Sequence, residues 1–95
     1  SWSLMTEGCA EFGLTSQEVQ LDELKMATQV RSGHPLICAM GPGDFTDSGH
    51  FLVISGYADG AFTLLDPNSP TRSACTWTFA ELKGQIRNIW AFSAI

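Results

Sequence analysis

Two apolar runs, His50 to Tyr57 and Ala61 to Asp66, are separated only by Ala58-Asp59-Gly60. So short a link folds the chain straight back, because parallel strands need a crossover of a dozen or more residues. A third apolar run, Pro35-Leu36-Ile37-Cys38-Ala39-Met40, precedes them across the turn-rich segment Gly41-Pro42-Gly43-Asp44-Phe45-Thr46-Asp47-Ser48-Gly49. The middle of the chain therefore reads as an antiparallel sheet.

The flanks supply helices. Trp2, Met5, Cys9 and Phe12 recur at three- and four-residue steps, with Gly13 as a stop. Leu14 to Val19 is short and fits an extended segment. Asp22 is placed to cap a second helix, with Leu24, Ala27 and Val30 on one face and Gly33 ending it. Pro67 to Cys75 reads as loop. Thr78-Phe79-Ala80-Glu81 is a capping box, in which hydroxyl and carboxylate each satisfy an orphan amide. Phe79, Leu82 and Ile86 form the apolar face of the short helix it opens, and Asn88 to Ser93 reads as a last strand. The expected fold is α+β: an antiparallel sheet of about four strands, two N-terminal helices and one short helix before the last strand, as a single domain over residues 1–95.

His50 opens one arm of the hairpin and Asp66 closes the other. A two-residue turn at Asp59-Gly60 with regular pairing sets Asp66 opposite Val53, on the face away from His50, because side chains alternate. A three-residue turn, Ala58-Asp59-Gly60 with Gly60 in the left-handed position, shifts the register by one. Asp66 then faces Leu52, and one face reads His50, Leu52, Ile54, Gly56, Phe62, Leu64, Asp66. On that face imidazole and carboxylate can orient each other. Spacing alone does not decide the matter: a histidine at a strand start is more often structural, and an aspartate before proline commonly begins a turn.

Larger patterns are more specific. Gly49-His50-Phe51-Leu52-Val53-Ile54-Ser55-Gly56-Tyr57 resembles the histidine strand of papain-like cysteine peptidases. Gly33-His34-Pro35-Leu36-Ile37, Gly41-Pro42-Gly43, Asp66-Pro67-Asn68-Ser69 and the closing Leu82 to Ser93, with Trp90-Ala91-Phe92-Ser93, resemble the bacterial branch of bacteriocin-processing peptidases. The resemblance implies a papain-like fold and hydrolysis by a Cys-His-Asp triad. His50 would hold a thiolate and later protonate the leaving amine, and Asp66 would fix the imidazole. In the family a glutamine just before the nucleophile helps form the oxyanion hole. A secreted or cell-surface bacterial setting is suggested by this resemblance alone.

The chain shows no cysteine suited to the nucleophile's place. Cys9 lies on an apolar helical stripe with no preceding glutamine, Cys38 lies within a strand, and Cys75 follows the histidine in a polar loop. The expectation is the C-terminal part of a larger catalytic domain, inactive alone, its nucleophile upstream of Ser1. It would act on a peptide or protein, and would pack against the missing N-terminal segment or self-associate. The alternative is a non-catalytic module that keeps the fold and binds a peptide or protein. Phe45 and Gly49 are substrate-binding candidates because their loop abuts His50. His34 reads as solvated, and Asp44 and Asp47 as loop carboxylates rather than a metal site. No cofactor is implied. With five Lys and Arg scattered in a chain of formal charge −5, no basic stripe addresses nucleic acid. No apolar run approaches the roughly 18–20 residues of a membrane span, and no signal-peptide pattern is visible.

Overall fold

The computed structural model describes residues 13–45, 49–66 and 69–94. The expected first helix, with Trp2, Met5, Cys9 and Phe12, lies outside them. The described elements are β1 (Leu14–Glu18), α1 (Glu23–Arg31), β2 (Leu36–Met40), β3 (His50–Ala58), β4 (Ala61–Leu65), α2 (Pro70–Ser73), β5 (Thr76–Thr78), α3 (Phe79–Leu82) and β6 (Ile86–Ala94). The strands form one sheet in the order β1-β6-β2-β3-β4-β5, with every pairing antiparallel. No described helix is long and apolar enough to cross a membrane.

The sheet has six strands, not about four. β1, Leu-Thr-Ser-Gln-Glu, has no apolar alternation of its own; it is a strand because Leu14–Glu18 pair with Trp90–Ala94 of β6. β5 is three residues long and completes the other edge by pairing with Ala61–Thr63. β2 lies between β3 and β6, so both edges of its backbone are paired; Leu36, Cys38 and Met40 are buried and Ile37 and Ala39 half-buried.

One face of the sheet carries the core, in which Leu36, Cys38, Leu52, Ile54, Phe62 and Leu64 are almost fully buried. Helix α1 covers this inner face. Asp22 caps it by accepting from the Lys25 amide at 3.0 Å, and Gly33, at φ 85°, follows its end. Its buried residues are Met26, Ala27 and Val30, whereas Leu24, expected on that face, is 75% exposed. The helix starts at Glu23, so the inward stripe runs 23, 26, 27, 30 and Leu24 falls about 100° away from Glu23.

The hairpin reaches its register by a route other than the expected three-residue turn. Ala58 pairs with Ala61, and Asp59 and Gly60 both have positive φ, 54° and 78°, as a two-residue type I′ turn requires. Further along, Gly56 pairs with Thr63 and Ile54 with Leu64, which leaves Ser55 as an extra residue in a β-bulge. The bulge changes the phase of β3. Tyr57 therefore shares the inner face with Phe62, against the sequence expectation, and their ring centroids lie 4.5 Å apart.

Helix α3 opens with the expected capping box. Thr78 Oγ1 accepts from the Glu81 amide at 3.2 Å, and Glu81 Oε1 accepts from the Thr78 amide at 2.9 Å. The helix stops at Leu82, and Ile86 belongs to β6. Between β4 and β5, where a plain loop was expected, Ser69-Pro70 opens the single turn α2.

Candidate active site

His50 begins β3 opposite Met40, and its side chain rises from the edge of the inner face. Past the bulge, Val53 pairs with Leu65. One further step along the register sets Asp66 opposite Leu52, on the face that bears His50. There His50 Nε2 lies 2.8 Å from Asp66 Oδ1. The aspartate side chain is 0% exposed and the histidine 8%, with the apolar Leu52, Leu64 and Met40 among their neighbours in the sheet. When the carboxylate is ionised it can only accept, and the proton of this bond is then the one on Nε2. The bond orients the ring through Nε2.

Asp66 lies beyond the last ladder pair of β4, and its backbone is held from the other side. Its amide donates to Ser73 Oγ at 2.8 Å, and its carbonyl accepts from the Ser69 amide at 3.1 Å. Ser73 was not singled out by its residue type. The readable signal was Ser69-Pro70, a helix-opening pair.

The loop after β2 is held as firmly. Gln85 Oε1 accepts from the Asp44 amide at 2.6 Å, and Gln85 Nε2 donates to Asp44 Oδ2 and to the Glu81 carbonyl, both at 2.9 Å. A Cβ on Gly43 would sit 2.2 Å from Gln85 Oε1, so the glycine makes room for the clamp. Phe45 is 3% exposed and stacks at 4.7 Å on Trp77. Phe45 thus packs within the core, where it anchors the loop. Gly49 is exposed beside His50. Thr46 to Ser48, and with them Asp47, lie outside the described residues. Asp44 holds Gln85, and among the described residues no three His, Cys, Asp or Glu side chains gather as metal ligands.

His34 stands apart from the pair, its Nδ1 2.8 Å from Gln29 Oε1. Cys38 shares the inner face with His50, but its thiol is 0% exposed and burial pushes its pKa up to about 12. It is a packed thiol rather than a nucleophile. Cys75 is exposed and donates to the Thr71 carbonyl at 3.4 Å. Cys9 lies outside the described residues. A family model described as "Peptidase_C39 like family" matches residues 10–93. No curated protein and no solved structure matches the chain.

Proposed function

This chain belongs to the Peptidase_C39 like family, and from that premise we propose that it carries the His50–Asp66 pair of a Cys-His-Asp peptidase centre. The observation that carries the reading is the 2.8 Å bond from a histidine near the surface to a fully buried carboxylate. A buried carboxylate compensates a developing imidazolium far better than one in water.

In the proposed reaction a cysteine thiolate attacks the peptide carbonyl. His50 Nδ1 delivers its proton to the departing amine, and the acyl thioester forms. A water that gives its proton to Nδ1 then releases the acid. Throughout, Asp66 keeps the ring in register. The thiolate comes from chain outside these 95 residues, preceded by an oxyanion glutamine, and the substrate is a peptide or protein. The burial of Cys38 and the exposed loop position of Cys75 favour this source.

The test uses a protein in which these residues are joined to the proposed upstream segment. Iodoacetamide should rapidly alkylate one upstream cysteine and abolish peptide hydrolysis, and His50→Ala should slow both alkylation and turnover. Turnover that survives His50→Ala and Asp66→Ala overturns the proposal. Peptide binding without turnover, insensitive to iodoacetamide, would instead support a non-catalytic binding module on the same fold.

A further inference from the structure

We infer that Ser73 is a positioning residue for Asp66, and through it for the His50 ring; the inference rests on the proposed pairing of these two residues in catalysis. Asp66 stands one residue past the ladder of β4, where regular pairing no longer fixes the backbone. Past the ladder, rotation about the Leu65–Asp66 link would swing the carboxylate unless the Asp66 backbone is held. The Ser73 hydroxyl is one of the groups that hold it. It accepts from the Asp66 amide at 2.8 Å, and lies 3.1 Å from the Ser69 carbonyl and 3.3 Å from the Asp66 carbonyl as a donor. One hydroxyl therefore meets both polar groups of the Asp66 backbone.

The rest of the segment is arranged to bring that hydroxyl there. The Ser69 amide donates to the Asp66 carbonyl, and the Ser73 amide donates to the Ser69 carbonyl, each at 3.1 Å. Helix α2 thus sets the Ser73 hydroxyl against the Asp66 backbone. A single helical turn has little stability by itself. Its placement here is explained by the bond it returns to Asp66. A carboxylate displaced by about 1 Å loses most of its control over a partner ring, which is how misplacement far from the reacting atoms lowers rate.

Nuclear magnetic resonance on the 95-residue chain tests this without any hydrolysis. The imidazole nitrogen shifts of His50 report its tautomer, and the Nε2–H proton, hydrogen-bonded to Asp66, should resonate downfield. In the unaltered chain and in Ser73→Thr, which keeps the hydroxyl, one tautomer with Nε2 protonated is expected. In Ser73→Ala the downfield proton should broaden or vanish and the two tautomers mix, while the β2–β3 amides keep their protection. A folded Ser73→Ala chain with unchanged His50 signals overturns the inference. A second measurement needs no variant: the Asp66 amide of the unaltered chain should exchange as slowly as that of Leu64, and exchange at the rate of an open loop overturns the clamp even if Ser73→Ala does not fold. Failure here leaves the peptidase reading standing, since that reading fails on turnover in a protein joined to the proposed upstream segment.

Discussion

Asp66 acts on His50 through position and through charge, and the amide analogue separates the two. Asn at 66 can still accept from Nε2–H, whereas Ala leaves a largely buried donor without its acceptor. An unsatisfied buried donor costs about 1–3 kcal/mol. Asp66→Ala should therefore lower the urea midpoint clearly and Asp66→Asn much less. Under the proposed Cys-His-Asp reading, kcat/KM of a protein that carries the whole centre should fall in the order wild type, Asp66→Asn, Asp66→Ala, His50→Ala; an Asp66→Ala enzyme as active as wild type would remove Asp66 from the reaction. Cys38 offers a second residue-scale test. Its thiol pKa rises from 9.0 to about 12 on folding because burial disfavours the thiolate. Between those values the unfolded chain loses its proton and the folded chain keeps it, so stability is full below pH 9 and falls as pH rises towards 12. One unit of this mismatch corresponds to about 1.4 kcal/mol. Urea unfolding at pH 8 and pH 10 should show wild type losing roughly that much more than Cys38→Val; equal losses would place the thiol in contact with water.

At the scale of elements, what the sequence made legible was what neighbouring residues decide among themselves. The Asp22 cap, the Thr78–Glu81 box and the apolar β2 run are local signals, and each stands where it was read. The hairpin register was not local. Tyr57 is drawn to the inner face by α1, where its hydroxyl donates to Glu23 Oε2 at 2.6 Å and Arg31 lies 5.4 Å over its ring. The hydrogen bond to Glu23, before all else, raises the tyrosine's pKa. His50, Leu52 and Ile54 need the same face, and an odd spacing between Ile54 and Tyr57 meets both demands only by setting Ser55 aside in a bulge. The turn was free to stay at two residues because Asp59 tolerates the left-handed region. The Gln85 clamp was equally invisible, being a contact across 41 positions of sequence. It makes a sharp prediction. A Cβ at Gly43 would occupy the place of the Gln85 carboxamide, so Gly43→Ala and Gln85→Ala abolish the same bonds to Asp44. Each should cost on the order of 1 kcal/mol, in the range of a typical hydrogen bond. The double variant should cost little more than either alone, and full additivity in a denaturation cycle would separate the glycine from the clamp.

On the scale of the whole molecule, the sheet's second face is only partly covered. Near β6 this face carries Trp90 and Phe92, both buried, and Trp90 pairs with Ile37. Across the sheet the cover thins: Ile37 and Val53 are half-buried, Phe51 is 51% exposed and Leu65 56%. Val53 pairs with both Ile37 and Leu65, so these side chains form one apolar surface rather than scattered residues. Contiguous apolar surface of this kind favours association. The net charge of −5 opposes it, since two copies repel. Salt should tip the balance, because at about 0.1 M the repulsion is screened beyond about 10 Å while apolar contact is not weakened. Sedimentation velocity should therefore show a larger species at 0.5 M than at 0.02 M salt. Leu65→Lys distinguishes the causes. It lowers the net negative charge, which by repulsion alone would promote association, but it places an ammonium on the apolar face. The expected result is a monomer at both salt concentrations. A Leu65→Lys chain that associates more strongly than wild type would move the contact away from this face, and a wild-type chain monomeric at both would show the face too small to hold two copies together.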